Sequence, residues 1–145
     1  MFTRRRILCA TLMATLGLPS FRGAQSDREL ALWLGIKRGL ENGGEAYFES
    51  NVKDCDLPRL KGKVASATIA ETKSAIRLVM DDGANPEVTL IVHHSNATIR
   101  TKPIVGDPIE FTGVAREFTG SPFMLTIETE VRRVTGLHVE RRDER

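Results

Sequence analysis

Histidine, cysteine and large aromatics are scarce in this chain, and each scarcity removes a class of chemistry. Three histidines and two cysteines occur in 145 residues. A zinc site needs three or four such ligands converging at about 2.0–2.3 Å. His93 and His94 are neighbours on an extended stretch and point to opposite faces, while His138 stands near the tail. The expectation is no metal, no cofactor, and a surface pair of histidines at a strand end. Ser66, Ser74, Ser95 and Ser121 lack the Gly-x-Ser-x-Gly setting of a nucleophile, and no dinucleotide or phosphate loop is present. Carboxylate pairs such as Asp81-Asp82 or Glu128 with Glu130 read as solvated faces. These absences point away from an enzyme.

Long apolar runs are missing as well. The longest, Ile7 to Leu18, falls short of the roughly 20 residues a permanent membrane helix requires. It sits instead between the basic Arg4-Arg5-Arg6 and the breaker Pro19-Ser20, followed by the small residues Ala24 and Ser26. That arrangement predicts an export signal over residues 1–26, cleaved before Asp27. Thr3-Arg4-Arg5-Arg6-Ile7-Leu8 also resembles the twin-arginine pattern, with Arg4 and Arg5 as its pair and Arg22 after the apolar run; the general secretory route is the alternative. The expected location is periplasmic or extracellular.

Cleavage would change the charge argument. The whole chain carries 21 Lys+Arg against 19 Asp+Glu. The leader holds four basic residues and no acidic one, so 17 would face 19, a balance of −2 over 119 residues. A nucleic-acid reading built on the basic whole chain loses its basis. Cys9 would leave too, so that Cys55, flanked by Asp54 and Asp56, is expected to be a partly buried thiol or an intermolecular disulfide.

Beyond the leader, Asp27–Leu40 reads as a helix capped by Asp27 and ended by Asn42-Gly43-Gly44, with a broad apolar face around Trp33. A further helical turn is expected at Glu45–Asn51, completing an N-terminal helical segment over 27–56. From Leu60 the apolar period becomes two. Strands are predicted at Lys61–Ala70, Ser74–Asp81, Glu87–His93, Pro108–Phe118 and Pro122–Val134, and the charged tail over 138–145 is expected to fray. The fold class is mainly β. The strand order resembles the oligonucleotide/oligosaccharide-binding (OB) fold, a five-stranded barrel, here over 57–137 and preceded by one or two N-terminal helices. That fold usually has a helix between strands three and four. His94–Gly106 is too irregular for one, and the Trp33 helix is expected to cover the barrel end instead.

The runs Leu57-Pro58-Arg59-Leu60-Lys61-Gly62-Lys63-Val64, Pro86-Glu87-Val88-Thr89-Leu90, Ile109-Glu110-Phe111-Thr112-Gly113-Val114 and Pro122-Phe123-Met124-Leu125-Thr126 carry a family resemblance. Together, over roughly residues 45–137, they resemble a small OB-like β-barrel module found near the C-terminus of some bacterial tetratricopeptide-repeat proteins. The chain has no room for the repeats themselves. The resemblance implies architecture and binding, with no catalytic residues.

The expected function is therefore a non-enzymatic binding module recognising an envelope protein, peptide or glycan. OB-like barrels bind through the face of strands two and three and the adjoining loops, which nominates Arg77, His93, Arg100, Lys102 and Phe118. A small exported enzyme without a recognisable motif is one alternative. A single-strand nucleic-acid binder using the barrel face is another, although such sites stack bases on exposed aromatics and only Phe118 is expected to be free.

Overall fold

The computed structural model describes residues 24–81, 85–95 and 97–141. The expected leader thus lies outside the described residues up to position 23, and its last three residues belong to the first helix. Helix α1 spans Ala24–Tyr47. It starts earlier than predicted, so Asp27 lies inside it rather than at its cap. Gly44 interrupts it with φ 59° and ψ −145°, a left-handed backbone that glycine adopts without a Cβ clash. The chain then passes through one π-helical turn, Phe48–Val52.

Nine strands follow: β1 Leu60–Thr68, β2 Lys73–Val79, β3 Val88–His93, β4 Ala97–Ile99, β5 Pro108–Phe111, β6 Val114–Gly120, β7 Phe123–Glu130, β8 Val134–Thr135 and β9 Val139–Arg141. Seven form one sheet in the order β6-β7-β3-β2-β1-β5-β8, and β4 pairs with β9 in a second. Strands β1, β2 and β3 are an antiparallel meander, whereas β3 and β7 run parallel, Leu90 opposite Ile127. The protein is mainly β with an N-terminal helix.

The expected closed barrel is corrected: the sheet is open, with β6 and β8 at its edges. The physical cause lies in the predicted fourth strand, which divides at Thr112-Gly113. Its first half, β5, pairs with β1, and its second half, β6, pairs with β7. Gly113 permits this change of partner. A Cβ there would lie 2.6 Å from the Glu128 carbonyl oxygen, so any larger residue would force the chains apart. The sheet curls until one segment reaches both of its flanks, without a continuous ladder closing it. The edge of β6 is partly covered by the residues before β1, where the Asp54 and Leu57 amides donate to the Ala115 and Gly113 carbonyls.

Alternation of apolar residues builds the core as period two requires. Leu60, Ile76, Leu78, Val88, Leu90, Val92, Ile109, Leu125 and Ile127 are all sealed from solvent. Helix α1 lies against β1 and β6 and buries Leu32, Trp33, Ile36 and Leu40. The Trp33 ring meets Phe123 edge-on at 6.0 Å, Phe123 meets Phe118 at 5.3 Å, and Phe118 stacks on Phe48 at 5.9 Å. This aromatic row ties α1 and the π-helical turn to β6 and β7.

The tail and the link between β3 and β5 complete the fold. Among the described tail residues, Glu140 and Arg141 are not frayed, because β9 pairs with β4. The irregular link expected at His94–Gly106 holds the short strand β4 and, among the described residues, no helix.

Candidate functional site

A surface hollow lies between α1 and one end of the sheet. Helical spacing puts Leu30 and Leu34 one turn apart on the flank of α1, where they remain 38% and 40% exposed while Trp33 and Ile36 turn inward. Opposite them, the alternation of β1 turns Lys61 and Lys63 outward on either side of Gly62. Met80, Pro86, Pro122 and Phe123 supply the remaining apolar surface, and the groove measures about 710 Å³. That volume lies in the range of small-ligand and peptide-anchor pockets, roughly 300–1,000 Å³.

The charges of the groove are unequally satisfied. Lys37 of α1 bonds Glu87 at 2.5 Å, lies 3.8 Å from Asp81, and sits 5.9 Å from the centre of the Phe123 ring. The hydrogen bond to Glu87 chiefly raises the Lys37 pKa, with both carboxylates adding to it. Lys61, opposite Glu110 on β5, acts to lower the Glu29 pKa against the larger effects of burial and Glu110, and Lys63 is exposed.

The residues nominated from sequence do not converge on one spot. Arg77 and His93 share the outer face of the β2–β3 pair, where Arg77 stands opposite Thr89 and His93 opposite Lys73. His93 Nε2 lies 3.0 Å from Glu128, whose other oxygen accepts from Arg116 Nε at 3.0 Å, and Arg116 also donates to Asp54 at 2.7 Å. The His93 bond, followed by Arg116, holds the Glu128 pKa below its ordinary value against a smaller opposing effect of burial. All four groups are part-exposed, so the network acts mainly to join β3, β6, β7 and the chain before β1. Arg100 belongs instead to the small sheet, pairing with Glu140 at 3.2 Å. Lys102 is exposed in the loop that follows. Phe118, expected to be free, is half-buried in the aromatic row.

Sequence reasoning passed over a serine–histidine contact. His94 is buried rather than on the surface, and its Nε2 lies 2.7 Å from Ser74 Oγ. Its Nδ1 lies 3.1 Å from the Ala97 carbonyl, which can only accept, so Nδ1 carries a proton and donates to it. The Ala70 amide donates in turn to Ser74 Oγ. The Oγ–Nε2 distance would suit a nucleophile and its base. With Ser74 at 1% and His94 at 2% exposure, no substrate reaches them, and the pair serves as a satisfied polar clasp in the core. The signal for it was parity alone: neighbouring residues on a strand face opposite ways, so an exposed His93 implies an inward His94.

A third feature joins α1 to β5. Glu29 is 9% exposed, and its Oε2 has no hydrogen-bonding partner among the described residues. Burial raises its pKa above the ordinary value, and the neighbouring Glu110 carboxyl raises it further. Glu110 accepts from Arg59 at 3.2 Å. Cys55 is fully buried. No group of three or more His, Cys, Asp or Glu among the described residues is placed to hold a metal ion.

The sequence matches no family model and no curated protein. Among solved structures, the chain has a likeness to an aspartyl tRNA synthetase from Entamoeba histolytica at 12% identity and a TM-score of 0.43, covering 64% of this chain and 20% of that one. A likeness at that level assigns neither activity nor partner.

Proposed function

We propose that the protein is an exported, non-enzymatic binding module built on an OB-like sheet, and that it recognises a protein or peptide partner in the cell envelope. The OB-like reading draws support from the β1–β2–β3 meander, the parallel β3–β7 pair and the single segment 108–120 that serves both flanks. The binding reading rests on one observation: a groove of about 710 Å³ beside two leucines left exposed on a helix that buries Leu32, Trp33, Ile36 and Leu40. A peptide suits it better than a glycan, because Leu, Met and Phe side chains make up much of its surface and offer a sugar few polar partners. Nucleic acid is disfavoured by the engagement of Phe118 in the aromatic row. Export follows from the basic, apolar and small-residue order of residues 1–26.

Photocrosslinking in the producing cells tests this. A photoreactive side chain at position 34 should yield an adduct on exported protein whose N-terminal sequence begins at or near Asp27. The same group at position 77 on the outer sheet face should yield none. Adducts only from position 77, or an uncut chain retained in the cytoplasm, would overturn the reading.

A further inference from the structure

We infer that the outer edge of β6 accepts an extended basic segment of a partner protein as an added strand. Apolar side chains of that segment enter the hollow beside Phe118, and its Lys or Arg side chains meet Glu41, Glu45 and Glu117. This surface is distinct from the α1–β1 groove, and the inference does not rest on the reading of that groove.

The edge selects the backbone form of the partner. β6 is a terminal strand of the seven-stranded sheet, and its outer side is occupied only at its start. There the Asp54 and Leu57 amides donate to the Ala115 and Gly113 carbonyls, and the Ala115 amide donates to the Cys55 carbonyl at 3.3 Å. The register then slips at Arg116, a bulge of the kind that ends pairing at sheet edges. Beyond it, Glu117–Gly120 makes no backbone bond on the outer side among the described residues. Four residues of strand extend roughly 13 Å. Such an edge is a template that an extended chain completes, whereas a helix has no free backbone groups to offer it.

Space for side chains lies alongside. A second hollow, of about 700 Å³, is lined by Leu40, Glu41 and Glu45 of α1 and by Phe118 of β6. Gly44 also borders it, and a Cβ there would meet nothing within 4 Å. Within this stretch Phe118 is half-buried while Glu117 and Thr119 are exposed. Side chains of an added strand alternate in the same way, so every second residue would enter the hollow over Leu40 and Phe118, and the others would stand beside Glu117.

Charge selects the sign. Glu41, Glu45 and Glu117 are exposed, and no ion pair joins them to a cation among the described residues. The neighbouring cations are engaged elsewhere. Lys37, which Glu41 influences from one turn away, is bonded to Glu87; Lys53 pairs with Glu49, and Arg116 with Asp54 and Glu128. Arg38 is the exception, one exposed cation on α1 against three carboxylates. A second copy joining edge to edge would bring the same glutamates against these, an unfavourable meeting of like charges. A basic strand complements both the ladder and the charge.

Fluorescence anisotropy on the full-length purified protein provides the test, with eight-residue peptides alternating Val and Lys as probes. The Lys peptide should bind about fivefold more tightly than a Gln counterpart, the gain expected from two exposed ion pairs, and should weaken as salt is raised. An added strand turns alternate amides toward β6, so N-methylation of either the Val set or the Lys set should abolish binding while the other set leaves it intact. Equal effects of the two methylations overturn the added strand. The triple variant Glu41→Lys, Glu45→Lys, Glu117→Lys should transfer the preference to a Val/Glu peptide, with an unchanged melting temperature showing that the fold persists. The methylated pair and the salt series need only the native chain. Indifference to salt and to the charge of the peptide overturns the basic partner. Leu34→Glu should leave the affinity unchanged; its loss would place the peptide in the α1–β1 groove and overturn the inference. A dimer seen by sedimentation and dissolved by the Lys peptide would assign the edge to a second copy instead.

Discussion

Glu29 and Glu128 are two carboxylates that the fold displaces in opposite directions. For Glu29, burial and then Glu110 raise the folded pKa above the ordinary 4.5. Its favourable contribution is complete below 4.5 and is lost as pH rises through the raised folded value, because above it a buried charge must stand beside another carboxyl. For Glu128, the His93 bond and Arg116 lower the folded pKa. That contribution is present above 4.5 and disappears as pH falls through the lowered value; it is small, since the group is part-exposed. Glu29→Gln removes the first titration while keeping the shape. Urea unfolding at pH 4, 6 and 8 should show the parent losing stability on the alkaline side and the variant losing less. Parallel pH profiles for the two proteins would mean that Glu29 is not the source. Cys55 belongs to the same scale: its flanking aspartates were legible, but its full burial came from packing that neighbours in sequence do not reveal.

At the scale of elements, the parallel contact of β3 with β7 is the seam on which the curl depends. Leu90 and Ile127 face each other across it, each with no exposed surface. Leu90→Ala and Ile127→Ala should each cost about 2–5 kcal/mol, read from the denaturant midpoint. Being in contact, they should combine non-additively. Near-neutral effects at both would break the assigned register. Strands of this kind were readable because six to nine alternating residues carry their own period, as at Val88/Leu90/Val92. Strands β4, β8 and β9 were not, since two or three residues have no period and hold their shape only through a partner. The break in the fourth strand was hidden for a different reason: Ile109, Phe111, Gly113 and Ala115 stay buried on alternate positions right through it, so parity continues while the pairing partner changes. The groove was illegible for a third reason. Leu30 and Leu34 read as part of a broad apolar helix face, and nothing local shows that Lys61 and Lys63, some thirty residues on, will stand beside them.

For the molecule as a whole, the segment 108–120 is the feature with the widest reach. β5 holds it to β1 and β6 holds it to β7, with two residues between. Opening either seam strains the other, so the two should open together in the cooperative unit that unfolds globally. Native-state hydrogen exchange should give the amides of β5 and β6 similar protection, near the global unfolding free energy. The β4–β9 pair, a separate two-stranded sheet, should exchange more readily. Much faster exchange in β6 than in β5 would show that the seams are independent. The same geometry restricts where this chain can lengthen. The exposed turn at Ile104–Gly106 can take extra residues, because both seams stay tied beyond it. Slack between Thr112 and Gly113 would instead let the halves part and leave raw strand edges on each, turning a tolerated insertion into a route to edge-to-edge aggregation.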